Sequence, residues 1–169
     1  MKISMHSMTI EIFVPTLRTL SKLLDKGAQS AAARKFDPGV LANARLAPDM
    51  FSLVQQVQLA CDFAKNSTGR LIGQDAPRFE DNEKTLDELK ARIARTVDYL
   101  DGVRAAAFEG SEDRDIKIPL RDTAIEMKGL PYLKTWVLPN FYFHVVAAYA
   151  ILRHNGVDVG KRDFLNVTF

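Results

Sequence analysis

The sequence predicts an all-α fold, an up-and-down four-helix bundle with one small β-hairpin before the last helix, and three observations carry that prediction. Four segments repeat apolar residues at spacings of three and four, one segment alternates with period two, and glycine or proline stands at the joins. With 169 residues the chain suits one domain, 1–169, that buries roughly 70% of the surface exposed on unfolding.

The first stripe is Ile10, Phe13, Leu17, Leu20 and Leu24, one face of a helix. Pro15 lies inside it and predicts a bend or the helix's true first turn, because proline has no N–H and clashes with the turn before it. Beyond Gly27 the alanine-rich stretch from Ala28 to Phe36 reads as a short separate piece of helix, ended by Asp37-Pro38-Gly39. A second long helix is predicted to begin near Pro48-Asp49, where proline suits a first turn and a carboxylate meets the positive end of the dipole. Its stripe is Met50, Leu53, Val57, Ala60 and Ala64, and Gly73 and Pro77 mark its exit.

Thr85, with Glu88 three residues on, makes a capping box and the plainest helix start in the chain. Leu86, Leu89, Ile93, Val97, Leu100 and Val103 follow on one face, with Glu88, Lys90, Arg92 and Arg95 distributed around the rest. Past Gly110 the period changes. Ile116, Ile118 and Leu120 alternate with Lys117, Pro119 and Arg121, and then Ile125 and Met127 alternate with Glu126 and Lys128. Pro119 cannot donate to a ladder, so the pair reads as an exposed two-stranded appendage. The last helix occupies Leu130 to Asn155, divided by Pro131 and Pro139, with Pro139 in the first turn of its main segment and Asn155-Gly156 as its stop. Four such stripes are best satisfied by covering one another in a bundle.

Composition narrows the function classes. Apolar residues are 47% and charged residues 26%, which excludes general disorder. The net charge of +2, from 23 basic and 21 acidic side chains mixed along the chain, offers no strongly basic face and argues against a nucleic-acid partner. No uninterrupted apolar run reaches about 18 residues, and Met1 to Thr9 lacks the features of an export signal, so no membrane association and a cytoplasmic location are expected. Cys61, in the run Leu59-Ala60-Cys61-Asp62-Phe63, reads as a small buried hydrophobe, and one cysteine allows no disulfide within the chain. No phosphate loop, paired-cysteine motif or nucleophile elbow occurs. A triad need not be local in sequence, so Ser7, Ser21, Ser30, Ser52 and Ser67 stay open.

Of three histidines, only His144 falls on an apolar stripe, with Phe141, Ala148 and Ile151. Two readings stand for it: an imidazole hydrogen-bonded inside the core, or a ligand or catalytic group. His154 sits at a helix end, where the dipole suffices, and His6 reads as solvent-exposed. Trp136, Phe141, Tyr142, Phe143 and Tyr149 cannot all face one core, so some either pack under the hairpin or cover a partner. Lys161 and Arg162, beside Asp163 and Phe164, either dock the tail or hold an anion at the bundle mouth.

The stretches Pro139-Asn140-Phe141-Tyr142-Phe143-His144 and Ala148 to Val157, with Gly160 to Leu165 and Met50 to Val57, resemble a domain-of-unknown-function branch of the DinB/YfiT-like metalloenzyme superfamily. The resemblance spans nearly the whole chain. It implies a four-helix bundle, frequently a homodimer, and in the wider superfamily a divalent metal held by three histidines; some such relatives are thiol-dependent transferases or isomerases. By the same resemblance His144 matches the later of two histidines four apart on the last helix. The earlier member falls on Asn140, and the second-helix ligand falls near Gln56.

Amide oxygens are weak donors to zinc or nickel, so one histidine with two amides predicts a polar cluster or small-ligand pocket in place of a strong metal site. Asp62 and Glu11 would restore a metal at His144 only if their carboxylates reached the same cavity. The expectation is therefore a dimeric small-ligand-binding or interaction protein with Gln56, Asn140 and His144 as its site, no firm cofactor and no assigned catalytic residue. The alternative is a metal- or thiol-dependent transferase or isomerase using His144.

Overall fold

The structure, a computed structural model, describes residues 3–119 and 123–167. In chain order the elements are α1 (Ile10–Arg34), α2 (Gly39–Asn43), α3 (Leu53–Ile72), α4 (Leu86–Asp101), β1 (Asp115–Pro119), β2 (Ala124–Lys128), α5 (Gly129–His154) and α6 (Lys161–Leu165), with a 3-10 turn at Ala105–Phe108. The four long helices form the up-and-down bundle: α1 lies on α4, α4 on α3, α3 most extensively on α5, and α5 closes back on α1. The stripes meet in the middle. Phe13, Leu17, Leu20 and Leu24 of α1 are buried with Leu53, Val57, Ala60 and Ala64 of α3, Leu89, Ile93 and Leu100 of α4, and Phe141, Ala148 and Ile151 of α5. Each large apolar side chain so enclosed contributes about 1.5–3 kcal/mol relative to exposure.

α1 is one unbroken helix, which corrects the two pieces expected from Pro15 and Gly27. Pro15 is solvent-exposed on the outer face. Gly27 is buried, and a Cβ there would lie 3.1 Å from Leu152 Cδ2, so it lets α1 approach α5 and does not end a helix. The start of α3 is also corrected. It is not at Pro48-Asp49 but at Ser52, whose backbone N–H donates to Gln55 Oε1 at 3.1 Å in a capping box; Met50 lies outside the helix. A side chain that satisfies the orphan donors of the first turn outweighs the weaker preference of a proline or a dipole. Gly73, in the left-handed region at φ 72, ends α3 as the sequence predicts.

α4 starts at the expected capping box, with Glu88 N–H donating to Thr85 Oγ1 at 3.2 Å and Thr85 N–H donating to Glu88 Oε2 at 2.9 Å. The backbone N–H of Lys84, donating to the same oxygen at 2.7 Å, and that of Thr85 hold the Glu88 carboxyl below its ordinary value. Thr85→Ala should therefore lower stability by about 1 kcal/mol, read from urea unfolding, and an unchanged midpoint would contradict the role of the cap. Arg92, expected off the buried face, is fully buried.

The hairpin has the expected alternation: Ile116 pairs with Met127 and Ile118 with Ile125. Ile116 and Ile118 are buried and Ile125 and Met127 pack against the core, while the Lys117–Glu126 and Lys128–Asp115 ion pairs, at 3.0 and 2.6 Å, face water. Pro119 closes β1, and burial of Ile116 and Ile118 leaves the appendage exposed on one face only, which corrects the exposed hairpin the sequence suggests. The expected continuation through Leu120 and Arg121 lies outside the described residues.

α5 runs through both prolines, with a π-helical pitch over Tyr132–Val137. The wide turn ends just before Pro139, whose ring would meet the carbonyl four residues back in a regular helix. By length and composition alone α5 could cross a bilayer, but Phe141, His144, Val145, Ala148, Ile151 and Leu152 are buried inside the bundle. Gly156 at φ 79 stops it where expected. The C-terminal segment docks on α1: Lys26 Nζ meets Asp163 Oδ1 at 2.6 Å, Lys22 Nζ donates to Asn166 Oδ1 at 2.8 Å, and Phe164 sits edge-on to Tyr149. Of the two readings of this segment, tail docking has these contacts behind it.

Candidate functional site

Gln56 stands one turn into α3 and His144 near the middle of α5, the two helices that pack most closely, and both side chains are buried. His144 Nδ1 lies 2.7 Å from Gln56 Oε1. Gln56 Nε2 donates to the Phe51 carbonyl at 3.3 Å, which fixes the amide orientation and leaves its oxygen as the acceptor toward the ring. The imidazole must then carry its proton on Nδ1, so in the neutral ring Nε2 holds the lone pair. Phe63, seven residues after Gln56 on the same face of α3, stacks on the ring at 5.5 Å, and Phe143 meets it edge-on at 5.3 Å. Burial pushes the His144 pKa below its ordinary 6.5, keeping it uncharged near neutral pH.

That shift has a sign. Below about pH 6.5 the unfolded chain takes up a proton that buried His144 refuses, so stability is full above that pH and falls as the pH drops until His144 is protonated in the folded state. The wild type should lose more stability between pH 7.5 and 5.5 than His144→Gln does, measured as urea midpoints. Equal losses would contradict an uncharged, buried imidazole.

The third expected member is not joined to this pair. Asn140 Nδ2 donates to the Trp136 carbonyl, one turn back on α5, at 2.7 Å, and a carbonyl in the turn where the helix changes pitch thereby gains a donor. The two carboxylates that might have completed a metal shell are engaged elsewhere: Asp62 pairs with Arg92 and Lys65 at 2.9 and 3.1 Å, and Glu11 lies 3.5 Å from His6. His6 is half-buried against Phe108 and not fully exposed. No group of three or more His, Cys, Asp or Glu residues suited to a metal exists among the described residues. A lone imidazole whose Nδ1 is occupied by an amide does not fit a tetrahedral zinc or nickel shell. Cys61 offers no alternative, because burial raises its thiol to about 12.

A second polar cluster escaped the sequence reading. Arg92 of α4 reaches Asp62 Oδ1 at 2.9 Å, Asp81 Oδ1 at 2.8 Å and both Glu83 oxygens at 3.2 Å, and donates to the Glu80 carbonyl at 3.0 Å. Gln58 donates to Glu83 Oε2 at 2.9 Å, and Arg95 adds a contact at 3.4 Å. Burial opposes the charge on Arg92, but Asp62 and Glu83 more than offset it and hold the guanidinium above its ordinary value. Phe79 lies under the cations of Arg95, Lys65 and Arg92 at 4.7, 5.2 and 5.7 Å. The cluster ties the connection between α3 and α4 to both helices. Its one sequence signal was spacing: Arg92 lies three residues after buried Leu89 and four before buried Thr96.

The bundle, the hairpin ahead of its last helix and a histidine facing α3 from α5 define a protein of the DinB-like class. The chain matches the domain of unknown function DUF1993 over residues 5–165 and belongs to that family. It is also similar to a DinB family member protein from Shewanella denitrificans, known from a crystal structure, with 41% identity and a TM-score of 0.90 over 96% of this chain and 92% of that one. No curated protein matches it.

Proposed function

We propose that this chain is a dimeric binding or interaction protein in which an imidazole–amide pair occupies the place that the wider superfamily gives to a metal. The observation behind the reading is the 2.7 Å contact between His144 Nδ1 and Gln56 Oε1, which engages the nitrogen with a neutral oxygen and brings no second imidazole. The dimer half of the proposal draws on the outer face of α5. Phe143 is 57% exposed and Val146 47%, beside Tyr142, Leu46 and Met50, around an uncharged groove of about 360 Å³. Aromatic and aliphatic side chains gathered on one face are the usual core of a protein contact. A cytoplasmic location belongs to the same reading and accords with the buried inner face of α5.

Two measurements test it. Tag-free protein should carry substoichiometric zinc and nickel and take up neither tightly; stoichiometric metal at micromolar affinity or better, lost in His144→Ala, would overturn it. Light scattering should give twice 18.9 kDa for the wild type and a single-chain mass for Phe143→Glu. A monomeric wild type would end the dimer reading.

One observation favours a second reading, a transferase or isomerase: the lone pair on Nε2 of a neutral, buried imidazole is suited to take a proton. Turnover of an electrophile with a low-molecular-weight thiol, abolished by His144→Ala, would support it.

A further inference from the structure

A cavity of about 410 Å³ lies between the second half of α3 and the segment that leaves it. It is distinct from the His144 pair, since Lys65 stands nine residues beyond Gln56, about 14 Å along the helix axis. Its walls are held in place. A Cβ on Gly69 would lie 2.7 Å from the Gln74 carbonyl oxygen, so the connection presses directly on α3, and Phe79 is pinned beneath three cations.

The lining is mostly polar: Lys65, Asn66 and Arg70 from α3, with Gln74, Asp75 and Arg78 from the connection. Not all of its charge is spent. Asp62, at the inner end, is already neutralised by Lys65 and by Arg92. Asn66 Oδ1 accepts from Lys65 at 2.9 Å, which leaves its amide N–H groups as donors. Arg70 is positioned by Nη1 donating to the hydroxyl of buried Tyr132 at 3.1 Å, and the rest of its fork has no hydrogen bond or ion pair among the described residues. Arg78 makes no hydrogen bond or ion pair among the described residues. Against these two guanidiniums the lining brings one carboxylate, Asp75, with no ion pair among the described residues.

We infer that this cavity binds a small ligand through an oxyanion, a carboxylate or phosphate group held by Arg70 and Arg78 with the amides of Asn66 and Gln74 as further donors. Planar guanidinium forks match both groups, and a concave site with a few convergent donors is the usual form of a small-molecule site. The inference does not depend on the reading given to His144.

Isothermal titration of the tag-free full chain at constant ionic strength, with inorganic phosphate in one series and malonate in the other, tests it and separates the two oxyanions. At least one probe should saturate a single site with a Kd of roughly 1 mM or tighter, weakened about 10-fold or more in Arg70→Gln and in Arg78→Gln. His144→Ala should bind as the wild type does. Arg78 is exposed, so Arg78→Gln should keep the wild-type unfolding midpoint; Arg70→Gln, which takes a donor from the Tyr132 hydroxyl, should lose some stability but remain folded under the titration conditions, and both are checked in parallel. Failure of both probes to saturate by about 20 mM, or full binding in both arginine variants, would overturn the assignment.

Discussion

Arg92→Met should lower the free energy of unfolding by about 3–5 kcal/mol, the largest effect of any single substitution considered for this chain. Methionine fills much of the same volume but removes the guanidinium that faces Asp62, Asp81 and Glu83, and Glu83 is buried. Carboxylates that had a common cation would then face one another in a poorly solvated place, and the Glu80 carbonyl would lose its donor. Gln58 and Arg95 still reach Glu83, and Lys65 still reaches Asp62, which places the cost toward the lower end of that range. Arg92→Lys should rescue little, because one ammonium cannot replace a fork that spans three acids. Urea unfolding at neutral pH measures both variants, and a loss below about 1 kcal/mol for Arg92→Met would show that the cluster is not a stabilising hub.

Gln56→Leu should cost about 1–3 kcal/mol, because it strips the acceptor from the His144 Nδ1–H while leaving that group buried, and also removes the donor from the Phe51 carbonyl. The companion substitution Gln56→Glu separates packing from electrostatics. A carboxylate at that place would favour the imidazolium and lift the His144 pKa, opposing the lowering that burial imposes in the wild type. With a raised folded pKa, the stability from this pair is fully present below the unfolded value and is lost as pH rises through the folded one, the reverse of the wild type. Between pH 7.5 and 5.5 the wild type should weaken, and Gln56→Glu should hold or gain. Parallel pH profiles for the two proteins would contradict the pairing.

Most of the fold was legible because its signals are local. The capping box at Thr85 and Glu88, the stops at Gly73 and Asn155-Gly156, and the period-two run through Ile116 and Ile118 each act over a few residues. The misreadings share a cause. Gly27 reads as a break because sequence does not show that Leu152 lies 3.1 Å from where its Cβ would be, and Pro48-Asp49 reads as a helix start while Ser52 with Gln55, the stronger chemistry, goes unread. At the site, helical phase placed Gln56 and His144 on facing stripes. The same phase holds through Asn140, which lies in the regular helix one turn before His144, but its amide is spent on the Trp136 carbonyl one turn back, a local choice that periodicity does not describe. Arg92 was illegible as a buried residue because its partners Asp81 and Glu83 come from the connection, whose path no periodicity describes.

The function proposed for the site requires an uncharged imidazole whose Nδ1–H donates to a neutral amide oxygen. Nitrogen-15 NMR of the wild-type protein at neutral pH reads that state directly, with His144→Gln to assign the signal. His144 should show a protonated Nδ1 and a bare Nε2, with an Nδ1 signal that changes in Gln56→Leu. An Nε2–H tautomer, a doubly protonated ring at pH 7, or a metal-shifted nitrogen would contradict it.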